Sequence, residues 1–304
     1  MLGYDRSVVA TAVCQCRRLI ACLTALLAAI LCGADAPISR ADQPGGDAAA
    51  ADKVPEGKST LHRMLDKSAG KYSLYAGADR QKPLKLRCVL RWANLTRGSA
   101  DGATYIWTRN GRPLATVCVY PWAGRLCDNF QSLAEGPIAA VREGQTVWQC
   151  SNRGVEYRPV PDADRPQKSA AERLRQLKSL ARDFRTTLLG WNADDSDREE
   201  LRMLPRPVYR YEPDSAGPLD GAIFAFVQGT DPETFLLLEA AHAGGEGDGD
   251  YEWRYALARR TSGKMETRYR GQIVWTAERL LDYSDPKRDY FQFSVPLPAD
   301  VAGE

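Results

Sequence analysis

Histidine is almost missing from this chain. Its 304 residues include two, His62 and His242. Two histidines exclude a histidine-rich metal centre by count, and a Ser-His-Asp triad would have to use one of them. His242 is the better placed, at the end of a predicted strand beside a glycine-rich loop, where an exposed histidine without a role is the ordinary expectation. The chain also lacks G-x-S-x-G, H-E-x-x-H, a Walker A loop and a convincing G-x-G-x-x-G. Gly57-Lys58-Ser59 copies the end of a P-loop without its first glycine. No cysteine spacing follows the C-x₂-C zinc pattern. No metal and no cofactor is therefore implied, and an enzymatic role has no motif behind it. Charge of one sign is missing as well: 41 basic residues face 39 acidic ones, a net +2. Near-neutrality argues against nucleic acid as a partner, because that requires a strong basic excess.

Long apolar runs are absent with one exception. Arg17 and Arg18 precede the run Leu19 to Leu31, and Ala34-Asp35-Ala36 follows it as an A-x-A cleavage site before Pro37. That order predicts a secretory signal peptide over residues 1–36 and a periplasmic or extracellular mature protein. The run is short of the ~20 residues that span a bilayer. An uncleaved anchor is one rival. A lipoprotein at Cys32 is another, although Leu31 is larger than the residue that usually precedes a lipidated cysteine. No second run approaches a membrane span. Residues 37–57 are rich in Ala, Gly, Pro and Asp with almost no large apolar side chain, and read as a flexible linker. Residues 1–36 carry three arginines against two aspartates, which leaves the rest of the chain at +1.

Residues 58–304 are enough for one large core or two small ones. Of eight cysteines, Cys14, Cys16, Cys22 and Cys32 leave with the signal or sit at its edge. Cys88, Cys118, Cys127 and Cys150 remain as possible disulfide partners in an oxidising compartment, with the pairing open. Packing as small hydrophobes is the equal alternative, since Cys88 falls on the apolar face of a predicted strand.

A short helix is expected near Thr60 to Lys67. From Leu84 to Trp92, apolar and charged residues alternate with the period of a half-buried strand. Asn110-Gly111 predicts a type I′ hairpin between 104–109 and 114–120, which would set Trp107 against Leu114 and Tyr105 against Thr116. Further strands are expected near 126–133, 138–142, 145–150 and 155–159. Ser169 to Glu172 is a capping box, and Leu174, Leu177, Ala181, Phe184 and Leu188 follow at helical spacing up to Gly190. An amphipathic helix over 170–189 follows from this, its outer face carrying Arg173, Arg175, Lys178, Arg182 and Arg185. A second capping box from Ser196 to Glu199 suggests a short helix stopped by Pro205. Strands are expected again near 207–212, 222–228, 233–241, 251–260, 264–270, 272–278 and 290–295. The class is α+β, with mostly antiparallel sheet.

Two segments read alike. Asp101-Gly102-Ala103 and Asp220-Gly221-Ala222 each open a strand, a glycine turn and an apolar run. Glu143-Gly144-Gln145-Thr146-Val147-Trp148 matches Arg270-Gly271-Gln272-Ile273-Val274-Trp275. Two β units, 84–160 and 205–296, joined by helix 170–189, would produce this pattern. So would chance recurrence of turn-forming residues.

Some acidic clusters admit chemistry. Gly244 to Asp250 could ligate Ca²⁺ but lacks the EF-hand spacing. Asn192 to Glu200 is explained as well by acids at a helix start. Asp220, Asp231, Glu233 and Glu239 surround one predicted hairpin, where paired carboxylates could serve a hydrolase. Glu239 follows Leu236-Leu237-Leu238, and partial desolvation there would raise its pKa. Aromatics and arginines also interleave, most clearly at Trp107 and Arg109 and at Trp253, Arg254 and Tyr255. An exposed face of this kind would hold a glycan or a protein partner of the cell envelope, whereas strand alternation alone would bury the rings.

The stretch from Leu90 to Trp122, with Phe130-Gln131-Ser132-Leu133 and Leu204-Pro205-Arg206-Pro207, resembles a family of exported bacterial proteins with no assigned activity. The resemblance implies secretion and brings no catalytic residues. The function expected from all of this is a non-catalytic exported module that binds a ligand or partner at the cell envelope. The alternatives are a carboxylate hydrolase of the envelope and a structural protein that docks through its basic helix.

Overall fold

The structure is a computed structural model that describes residues 56–77, 80, 82–95, 99–190, 198–212, 218–243 and 250–297. The predicted signal peptide with its four cysteines, nearly all of the linker, Ser196 and residues 244–249 of the glycine-rich loop lie outside the described residues.

The first half of the chain runs α1 (Glu56–Ala69), β1 (Tyr72–Ala76), β2 (Lys85–Asn94), β3 (Ser99–Arg109), β4 (Arg112–Trp122), β5 (Arg125–Ser132), β6 (Ile138–Arg142), β7 (Gln145–Cys150) and β8 (Arg158–Pro159). The second runs α2 (Ala170–Arg182), β9 (Phe184–Gly190), β10 (Glu199–Glu200), β11 (Arg202–Met203), β12 (Tyr209–Tyr211), β13 (Asp220–Gln228) and β14 (Asp231–His242), then β15 (Tyr251–Arg259), β16 (Lys264–Tyr269), β17 (Gln272–Ala277) and β18 (Tyr290–Pro296). The protein is β-rich and its sheets are antiparallel. Two are small, with orders β1-β6-β7 and β10-β9-β16-β17. Two are large, β18-β5-β4-β3-β2 and β11-β13-β14-β15-β8, the latter with β12 also on β13. The last strand of each half therefore lies in the large sheet of the other half. β18 pairs with β5, and β8 pairs with β15.

Three apolar clusters follow from the alternation. Leu65 of α1 packs with Tyr105, Trp107, Val117, Phe130, Trp148 and Phe291. Leu177 of α2 packs with Phe184, Phe224, Leu236, Leu238 and Trp253. The third draws on both large sheets, with Ile106 and Leu133 from the first half against Ile223, Phe235 and Leu237 from the second. β13 and β14 read as nearly unbroken apolar runs because both of their faces are buried.

Several expectations are corrected. The helix ends at Arg182, and Phe184–Gly190 is the strand β9. Phe184 and Leu188 satisfy a period of four and a period of two alike. The β-branched Thr186-Thr187 between them tips the segment to strand, where Thr186 Oγ1 and Thr267 Oγ1 meet at 2.9 Å. The Ser169 cap forms as expected, accepting the Glu172 N–H at 3.3 Å. In chain order α2 lies between β8 and β9. The helix expected after Ser196 does not form among the described residues, where Glu199–Glu200 and Arg202–Met203 are short strands. The strand expected at 155–159 shrinks to two residues.

The Asn110-Gly111 turn has the positive φ values of type I′, 50° and 85°. A bulge leaves Leu114 unmatched, so Trp107 opposes Ala115 and Tyr105 opposes Val117. A second bulge at Val89 breaks the alternation of β2 and turns Cys88 outward. Cys88, Cys118, Cys127 and Cys150 are free thiols, the last three buried. Among the described residues no helix is long and apolar enough to cross a membrane.

Candidate functional site

The aromatic–arginine residues do not form a common surface. Trp107 is 1% exposed and its ring stacks on Phe130 at 6.1 Å in the first core. Trp253 and Tyr255 are buried in the second core, the latter 5.2 Å from Phe184. Alternation turns the arginines the other way. Arg109 donates to the Ala76 carbonyl at 2.8 Å. Arg254 donates to Glu252 at 2.7 Å and to the His242 carbonyl at 2.9 Å. An exposed stacking face is therefore corrected: the three rings are core packing, and the two arginines lie outside the core. The basic face of α2 is also smaller than its sequence suggests. Arg173 is buried, and Arg185 belongs to β9.

The acidic hairpin is real, but two of its buried carboxylates, Glu239 and Asp220, are clamped. Glu239 receives Arg112 in a two-pronged pair at 2.9 and 2.9 Å and the Tyr211 hydroxyl at 2.7 Å. Arg112 comes from β4, so this pair ties the two large sheets together. Burial raises the pKa of Tyr211 well above its ordinary value, and so do the Tyr157 and Glu239 charges beside it. Asp220 is fully buried and is held by Arg173 at 2.9 Å and by Arg210 at 2.7 Å. Asp231 accepts from Asn94 at 3.3 Å, and Glu233 is buried. A carboxylate whose lone pairs are saturated by guanidinium is poorly placed to move protons on a substrate. Among the described residues, no group of three or more His, Cys, Asp or Glu is arranged to hold a metal ion.

An opening lies elsewhere, between α1, the start of β5, the β6–β7 turn and β18. It is a cavity of about 740 Å³ lined by the cations Arg63, Lys67, Lys71 and Arg142, by Ser68, and by Met64, Leu126, Val295 and Pro296. Arg142 is the group that distinguishes it. Its side chain is 9% exposed, with the guanidinium 5.0 Å from the Tyr72 ring and 5.5 Å from the Phe293 ring. Nη1 donates to the Tyr72 hydroxyl at 2.6 Å and to Asp128 Oδ2 at 3.4 Å. The Tyr72 hydroxyl in turn donates to the same Asp128 oxygen. Among the described residues every hydrogen bond of Arg142 runs through Nη1, which leaves Nε and Nη2 unspent.

The supporting groups are tuned by burial. Asp128 is fully buried, and desolvation pushes its carboxyl up to about 6, against the lowering pull of the Tyr72 hydrogen bond and the Arg142 charge. Tyr72 is driven upward by burial first and by Asp128 second. Ser68 lines the cavity, and its buried Oγ has no partner among the described residues. Leaving such a group unmet costs about 1–3 kcal/mol, so its retention calls for an explanation. At the rim, Lys71 pairs with Glu143 at 3.3 Å.

None of Tyr72, Asp128 and Arg142 stood out in the sequence, yet a signal was there. Leu126, Asp128 and Phe130 share one strand face, as do Ile138, Ala140 and Arg142. A charge at an inward position of an apolar alternation marks a buried polar site. No family model, no curated protein and no solved structure matches the chain.

Proposed function

We propose that this protein is an exported, non-catalytic binding module whose ligand sits in the cavity beneath α1. The observation that carries the reading is Arg142, a nearly buried arginine with unspent donors at the wall of a cavity large enough for a small molecule. The clamped state of Glu239 and Asp220 favours binding over hydrolysis. Export, and kinship with exported bacterial proteins, rest on the N-terminal pattern and on the resemblance in Leu90 to Trp122, and belong to the same proposal.

We also read the two halves as copies of one β unit of an α+β protein, each opened by its own helix and closed by the other's last strand. The matching element order supports this. So do two details. A side chain at Gly102 would strike the Trp92 ring, and one at Gly221 would strike the Tyr211 ring. The turns Glu143-Gly144 and Arg270-Gly271 share positive φ, 51° and 80° against 46° and 85°.

The test is a thermal-shift screen of the mature protein against envelope glycans and small organic anions, run in parallel on Arg142→Gln. A ligand bound only by the folded state raises its stability, by about 2.7 kcal/mol at a hundredfold excess over Kd. The expected result is a shift in the parent that shrinks in the variant. A ligand that shifts both equally would put the site elsewhere and defeat the reading.

A further inference from the structure

We infer that the ligand of this cavity is an oxyanion, a carboxylate or a phosphate, carried on an apolar body. The inference rests on the reading of the cavity as a ligand site and follows from comparing the two halves position by position. Strand register fixes the correspondence. Tyr72 opposes Arg142 between β1 and β6, and Phe184 opposes Tyr269 between β9 and β16. Val119 opposes Asp128 between β4 and β5, and Leu238 opposes Tyr255 between β14 and β15. The polar trio Tyr72, Asp128 and Arg142 thus occupies the positions of Phe184, Tyr255 and Tyr269. Those three pack as rings, with Phe184 5.2 Å from Tyr255 and 4.7 Å from Tyr269.

The cavity wall differs in the same sense. Leu126 opposes Val295 on β18, and at the matching place Trp253 accepts the Val160 N–H at 2.8 Å. Ser68 stands four residues before Tyr72, and Leu180 stands four before Phe184. One topology therefore carries two interiors. Both sets are buried, Trp253, Tyr269 and Leu180 as members of the second apolar cluster. In the first half Leu126, Arg142 and Ser68 stand in those places and border open space.

The charge of that space is one-sided. Four cations line it against one acid, Glu143, which already pairs with Lys71. The planar fork of Arg142 matches a carboxylate or phosphate, and the rings of Tyr72 and Phe293 hold it in place. Met64, Leu126 and Val295 offer an aliphatic wall to the rest of the ligand. An oxyanion at Nε and Nη2 of Arg142, with its tail along that wall, satisfies both features.

The experiment is calorimetric titration of the mature protein with octanoate, octyl phosphate and octyl glucoside below their micelle-forming concentrations. The glucoside carries the same tail without charge. Two variants accompany the parent: Arg142→Gln, and Leu126→Trp, which fills the cavity as Trp253 fills its counterpart. Near-ultraviolet circular dichroism checks that each folds. The expected result is binding of one or both anions, weaker by roughly tenfold or more in Arg142→Gln, as loss of a charge-assisted hydrogen bond implies, and weaker in Leu126→Trp because the ring occupies the space of the ligand. The tighter anion tells carboxylate from phosphate. Equal binding of octyl glucoside, still lost in Leu126→Trp, would overturn the anion and keep the site. Failure of both anions to bind would overturn the anion as well. Anion binding unchanged in folded Leu126→Trp would overturn the site itself. Leu126→Trp adds bulk without removing a charge, so it remains informative if Arg142→Gln does not fold.

Discussion

Asp128 shows how a single side chain can make stability depend on pH in an unusual direction. Its folded pKa, about 6, lies above the ordinary 3.8, because burial penalises the charge more than Tyr72 and Arg142 favour it. Between those two values the folded state holds a proton that the unfolded state has lost. The contribution of Asp128 is therefore most favourable below about pH 4 and declines as pH rises through 6. Two pKa units amount to about 3 kcal/mol. Surface acids such as Glu156, lowered by its Arg158 hydrogen bond, and Asp282, lowered by Ser284, slope the other way. The quantity to read is therefore the difference between parent and Asp128→Asn. Urea unfolding at pH 4.5 and pH 7.5 should show the variant gaining on the parent at the higher pH. A difference that stays constant with pH would mean that Asp128 is not the buried, raised carboxyl described here.

At the scale of elements, strand pairing places a glycine under an aromatic ring in both large sheets. Gly221 pairs with Tyr211 between β12 and β13, and Gly102 pairs with Trp92 between β2 and β3. A Cβ at position 221 would come within 2.4 Å of the Tyr211 ring, and one at 102 within 2.3 Å of the Trp92 ring. The rings are large and buried, so they have little room to give. Gly221→Ala should destabilise the protein by about 2 kcal/mol in denaturant unfolding, the usual cost of overpacking. It should also weaken the Tyr211–Glu239 hydrogen bond. A loss below about 0.5 kcal/mol, the range of ordinary surface changes, would show that the ring moves aside freely.

For the whole molecule, the exchanged last strands make each half depend on the other. β18 supplies Phe291 to the first core and packs Phe293 and Val295 against it. It also pairs along the whole of β5. Without it, β5 would become an open edge beside an incomplete core. Deleting residues 290–304 should abolish cooperative unfolding of the first half rather than merely lower its midpoint. Near-ultraviolet circular dichroism and the denaturant m-value would report this. Retention of a native-like spectrum with an unchanged m-value would show that the exchange is dispensable. The Arg112–Glu239 pair adds a polar tie between the large sheets. As a two-pronged pair with a buried carboxylate and a partly exposed guanidinium, it fixes their register more than it adds stability.

Local rules were legible from the residues alone. The Asn110-Gly111 turn, the Ser169 cap and most of the strands depend on neighbours a few positions away. Apolar alternation marked the strands whose faces differ. Where the period was ambiguous, as at Phe184 to Leu188, pairing with β16 decided for strand. Bulges at Val89 and Leu114 shifted registers that alternation alone could not place, because one inserted residue leaves the local pattern intact. Trp107 and Trp253 were legible as large rings on strands, but which face was covered depended on sheets assembled from distant segments. The candidate site was the least legible part. Tyr72 lies far before Asp128 and Arg142 in the chain, and the three meet only where β1 and β6 of one sheet pack against β5 of another. The cavity beside them is closed by β18, which the chain brings back from its far end. By itself the sequence determined the β-rich antiparallel character and the pattern that predicts export. Only the tertiary structure decided that Ser68, Leu126 and Arg142 border one cavity, because that depends on volume between residues that no local pattern connects.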